Sequence, residues 1–241
     1  MKNISEPTPI AGQAERSSSG LMKGLRSPLT LRLVSCSGVG AFLFTATYLL
    51  EGLTRPGYDA SQQPISALSL GPGGWVQQIN FVVFGLLLVL SAVGWRRLLT
   101  PGRASIGFPL VQSLIGLCLM VVGFFSPDLA PGYPPGVVPI APTVHGTIHL
   151  VAAYVVFPAL ACGCFVLARR FAVEPRWRGW ATYSVITGIL ILVFIALFPT
   201  TFGSGLPAGL FELVSALAHA VWSCLLVAAL LFQRRSQRIH T

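Results

Sequence analysis

Two histidines, His145 and His149, stand four residues apart where a Pro-rich segment enters an apolar one, Pro142-Thr143-Val144-His145-Gly146-Thr147-Ile148-His149. On a helix that spacing puts both imidazoles on one face. Farther along, Glu212, Ser215 and His219 succeed one another at intervals of three and four, again one helical face, and Asp128 closes an apolar run in Phe124-Phe125-Ser126-Pro127-Asp128. Three histidines with carboxylates nearby are the donors that hold zinc with one position open to water. His145, His149 and His219 are therefore candidate metal ligands, and Asp128, His145, His149, Glu212, Ser215 and His219 candidate catalytic groups. Ser215, His219 and Glu212 also have the residue types of nucleophile, base and orienter, though their order on one helix makes triad geometry awkward. No His-Glu-x-x-His sequence accompanies them. Hydrogen-bonded to one another, the same groups would serve equally as a buried network tying three helices together.

What must position these side chains is set by composition. The chain is 54% hydrophobic and 10% charged, with a mean hydropathy of +0.74, whereas a soluble domain carries roughly 25% charged residues. Apolar runs occupy about 31–50, 76–95, 106–125, 143–168, 180–198 and 207–232, each near the ~20 residues a spanning helix needs. The first run exceeds the ~7–15 residues of a signal-peptide core, so it is expected to stay as a helix. Only helices or closed barrels satisfy their backbone in lipid. The expected fold is an all-α polytopic membrane protein, six transmembrane helices in one bundle over 31–232. Residues 1–30, with Ser17-Ser18-Ser19-Gly20 and scattered charges, read as a disordered cytoplasmic tail and 233–241 as a basic cytoplasmic one.

Charge distribution gives the orientation. Of 16 Lys and Arg residues, all but Arg55 fall in the N-terminal tail and its junction, the second and fourth loops, or the C-terminus. By the positive-inside rule both termini are cytoplasmic, in the cell (inner) membrane, and the net charge of +9 reports topology instead of a nucleic-acid surface. Glu51, Asp59, Asp128 and Glu212 then lie toward the outer side. At 1.5 Å per residue His219 stands about 22 Å above Arg234, in the outer third of a ~30 Å core. Ionisable groups in hydrocarbon face the bundle interior and pair. The six candidates are thus expected to gather in one polar pocket opening outward.

The remaining features concern packing. Tyr58, Trp75, Tyr133 and Tyr154 near the outer ends, and Trp95, Trp177 and Trp180 near the inner ends, suit interfacial belts. Ser184 with Gly188, and Ala216 with Ala220, have the spacing of close helix contacts. Gln112 is placed to hydrogen-bond between helices, and Pro158 to kink the fourth span. All five cysteines lie in apolar runs, so no disulfide framework is implied. The first outer loop, Tyr58 to Trp75, is too apolar for a solvated linker and is expected either to fold back as a re-entrant or interfacial cap over the pocket or to lie as a plain interfacial loop.

Pro64-Ile65-Ser66-Ala67-Leu68-Ser69, Gly74-Trp75-Val76-Gln77-Gln78-Ile79-Asn80-Phe81, Ser126-Pro127-Asp128 and His145-Gly146-Thr147-Ile148-His149 carry a resemblance to the bacterial DUF998 family of six-span membrane proteins, covering about 31–232. The Ile-Ser loop is more distantly similar to one in the Frag1/DRAM/Sfk1 membrane proteins, some linked to lipid-anchor remodelling. Ala67 stands where an acidic residue follows Ile-Ser there. The resemblance implies fold and topology, not an activity. Two functional expectations result: a pocket binding a membrane lipid or small amphiphile, or a membrane-embedded hydrolase acting on outer-leaflet lipid, with zinc as its possible cofactor. Proton-coupled transport ranks below both, because the inner half of the spans lacks ionisable residues.

Overall fold

The computed structural model describes residues 27–239 apart from 103, 130, 131, 139, 140 and 203. The expected disordered tail falls on residues 1–26, outside the described residues, except for its last four. Those four already belong to the first helix or its cap: Ser27 accepts a hydrogen bond from the Thr30 amide, Pro28 occupies the first turn, and α1 runs Pro28–Thr54. There follow α2 (Trp75–Leu99), α3 (Gly107–Phe124), α4 (Val144–Phe171), α5 (Arg178–Thr201) and α6 (Ala208–Ile239). All six are long and apolar enough to cross a membrane, and no strand occurs among the described residues. The protein is an all-α, six-span bundle. α6 continues past the expected boundary at 232 into the basic segment.

Each helix packs on its neighbour in sequence, and α1 packs on α6, so the helices close into a ring. On α1 the inward stripe is Leu31, Val34, Gly38, Ala41, Phe44 and Tyr48, a helical repeat of three to four. The opposite faces are as apolar as the core: Phe42, Leu53, Leu110 and Phe232 are each at least 65% exposed. Only 28–44% of each span's most apolar stretch is buried inside the bundle. In water that outer surface would associate; in lipid it is the matched solvent.

Close helix contact arises at glycines. A Cβ on Gly116 of α3 would stand 2.5 Å from the Gly85 carbonyl oxygen of α2, and one on Gly94 would stand 2.6 Å from the Val34 amide of α1. Among the small residues expected to do this, Gly188 does receive the Phe165 ring of α4. Ser184 Oγ accepts a 2.9 Å hydrogen bond from Trp222 Nε1, joining α5 to α6. Ala216 and Ala220 border a cavity. Gln112 donates to Ser91 Oγ at 3.3 Å, linking α3 to α2 as expected. α4 stays one continuous helix through Pro158.

The aromatic belts are only partly realised. Trp75 and Tyr154 are exposed, but Trp95, Tyr133 and Trp177 are buried. Trp95 meets the Phe108 ring edge-on and Trp177 stacks on Phe171. These rings fill space between elements, where burying so much apolar area stabilises more than an interfacial position would.

The segment 55–74 folds inward. Its 3-10 turn Ile65–Ser69 packs on α1, α2 and α6, with Ile65, Ala67 and Leu68 buried. Arg55 fastens it: the guanidinium pairs with Glu51 and donates to the carbonyls of Pro72 at 2.6 Å and Gly73 at 2.9 Å. Tyr58 donates to the Gln63 and Pro64 carbonyls and meets Tyr133 edge-on, and Gln63 donates to the Gly132 carbonyl, which joins the loop to the segment before α4. Burial, with Glu212 nearby, pushes the Tyr58 phenol well above its usual range, so it remains a donor. Gly209 lets the backbone of α6 touch the loop, where a Cβ would collide with the Gln63 and Ala60 carbonyls.

Candidate functional site

The six candidate residues do not share one cleft; five of them fall into two groups, and Ser215 stands apart. The first sits at the turn between α3 and α4. Asp128 accepts from Thr143 Oγ1 at 2.6 Å and from the Thr143 amide at 3.0 Å, while Thr143 Oγ1 caps α4 by accepting from the Gly146 amide. These two bonds, the hydroxyl first, hold the Asp128 carboxyl below the usual carboxylate range. The carboxylate lies directly over Gly146, where a Cβ would collide with it. His145 is exposed, with Nδ1 at 3.3 Å from the Ser126 carbonyl. His149 is buried, with Nδ1 at 2.6 Å from the Phe125 carbonyl at the end of α3. A carbonyl only accepts, so that nitrogen carries the proton. This group ties a helix end to a helix start.

The second group lines a cavity of about 70 Å³ inside the ring. α1 contributes Phe44, α2 Phe81 and Phe84, α3 Leu119, and α4 Phe157 and Leu160; Ile65 and Ser66 of the 3-10 turn close one end. From α6 come Glu212, Ala216, His219 and Ala220. Glu212 and His219 are seven residues apart, two turns or about 10.5 Å along the axis, and the small Ala216 between them leaves the space open. Glu212 Oε2 accepts from the Ile65 amide at 3.1 Å. The His219 ring lies 5.7 Å from that of Trp222 and takes part in no hydrogen bond among the described residues. Both are at least nine-tenths buried.

His149 lies one turn before Ala153, a lining residue of α4, and is not itself part of the lining. Hence the proposed zinc triad of His145, His149 and His219 is corrected: among the described residues no three His, Cys, Asp or Glu side chains come together to hold a metal. The physical reason is that equal spacing on one helix fixes a shared face, not which other helices that face meets. Ser215 faces α5, its hydroxyl directed at the carbonyls of Ile191, 3.3 Å, and Phe211, 3.0 Å. No nucleophile–base pair forms from it. Sequence reasoning missed the phenylalanines of α1, α2 and α4 as cavity walls; nothing distinguishes a lining Phe from a packing one in an apolar run.

Fold and site together define a class: an integral membrane protein of six apolar helices, five of which, with the 3-10 turn, line a small, mostly apolar cavity with one carboxyl and one imidazole on its wall. Within that class the chain belongs to the family described as Protein of unknown function (DUF998), which it matches over residues 38–229. No curated protein and no solved structure matches it.

Proposed function

We propose that this protein binds a single-chain amphiphile, the chain against the phenylalanines and leucines of the cavity and the polar end at Glu212 and His219. The observation that carries the reading is His219: a buried imidazole bordering a cavity without a hydrogen-bond partner among the described residues. Burying such a group unpaired costs roughly 1–3 kcal/mol, so something entering the cavity must pair with it. Size admits the polar end and the adjoining carbons of one chain, not a whole lipid. One water-sized group needs at least about 10–15 Å³, and about 70 Å³ holds only a handful. In the orientation favoured by the arginines, with Arg169, Arg176 and Arg234 on the cytoplasmic side, the cavity lies toward the outer leaflet.

Native mass spectrometry of the purified protein, released gently from detergent, tests this. A single bound amphiphile is expected on the wild type and none on Ala216→Phe, which fills the space between Glu212 and His219. Unliganded wild type after reconstitution with membrane lipids, or equal loading of the filled variant, would overturn it.

A further inference from the structure

The charge inventory around the cavity narrows what that polar end can be; this step rests on the amphiphile reading above. Among the described residues no lysine or arginine lines the cavity. Arg55, the basic residue nearest in sequence to its lid, is committed to Glu51 and to loop carbonyls. His149, the closest imidazole on α4, is directed to the Phe125 carbonyl. The titratable groups that do face the cavity are Glu212 and His219, with the Tyr48 phenol of α1 within electrostatic reach of Glu212. α2, α3 and α4 contribute only apolar side chains to the lining.

A phosphate or carboxylate head placed here would meet a carboxyl group in a low-dielectric site without a cation to balance it. An anion left unpaired in such surroundings is strongly disfavoured. Glu212 leaves Oε1 without a bonded partner among the described residues, since the Ile65 amide takes Oε2. It therefore offers acceptor capacity, and the His219 ring adds two nitrogens able to hydrogen-bond an amine or hydroxyl that both donates and accepts. We infer that the ligand head is a hydrogen-bonding group without negative charge, an amine or hydroxyl on a single alkyl chain, and that the want of a lining cation is what excludes anionic chains.

The test compares dodecylamine, dodecanol and dodecanoate with the purified protein in nanodiscs, read as the rise in melting midpoint and as competition for one site. The amine and the alcohol are expected to raise the midpoint by several degrees, and dodecanoate to bind at least tenfold more weakly. Glu212→Gln keeps an oxygen for the Ile65 amide and adds no cation, so it is expected to leave dodecanoate the weakest of the three. Dodecanoate binding wild type as tightly as the amine, with both blocked by Ala216→Phe, would overturn the head-group assignment and leave the cavity reading standing. Absence of any response from wild type, or a response undiminished in Ala216→Phe, would overturn both. The wild-type comparison needs no variant, so poor folding of either substitution does not shield the inference.

Discussion

His145 and His149 occupy one helical face, yet their surroundings differ completely: one ring is exposed beside Phe125, the other buried and bonded to that residue's carbonyl. Spacing made their shared face legible. The partner of each depended on how α3 ends, in an irregular segment whose course no periodicity encodes. Asp128 illustrates the same limit, since a residue read as a candidate catalyst caps α4 through Thr143. Its depressed pKa gives this role a pH signature. The stabilisation is complete above the unfolded value of about 3.9 and is lost as pH falls through the lower folded value. Amide exchange at residues 143–147 is therefore expected to be faster in Asp128→Asn than in wild type between pH 5 and 7, with the gap closing below about pH 4. A difference unchanged down to pH 3, or no difference at all, would contradict the cap.

At the level of elements, the six spans were legible because length and hydropathy suffice to mark a helix that must cross lipid. Their mutual contacts were not. The Ser184, Gly188, Ala216 and Ala220 spacings stood out, yet the nearest backbone approach on α3 is at Gly116 against Gly85, two glycines on different helices that no spacing within one helix relates. Intrinsic propensity gives a sharp test there. Ala favours a helix over Gly by about 1 kcal/mol, but a Cβ at position 116 would press on the Gly85 carbonyl. Gly116→Ala is expected to lower the melting temperature by several degrees through overpacking of about 1–3 kcal/mol. Gly179→Ala, where a Cβ meets open space, should leave it unchanged or raise it. If both substitutions behave alike in a thermal scan, backbone contact does not set the α2–α3 spacing. The inward fold of 55–74 was one of two courses its apolar character allowed. Its fastening by Arg55 was not, because a lone arginine on the acidic side counted only as an exception to the charge rule.

Taken as a whole, the molecule is a ring of helices apolar on both sides, with lipid outside and a small cavity inside whose wall holds Glu212 and His219. The single polar pocket expected from the sequence is divided in the structure between a helix-capping cluster at the α3–α4 turn and this interior space. The division follows from ring closure: α6 packs on α1 and α5, so its polar face meets the 3-10 turn and the phenylalanines of α1 and α2, not the histidines of α4. The most direct measurement is residue-level mapping of photo-cross-links from a dodecylamine carrying a diazirine on the carbons next to its amine, with the protein in nanodiscs. Adducts on the interior side chains Ala153, Phe157 and Leu160 of α4, or on Ala220 of α6, are expected, and excess dodecylamine should suppress them. Adducts confined to the lipid-facing Leu150, Val151 and Leu225, or insensitive to competitor, would mean that no chain enters the bundle.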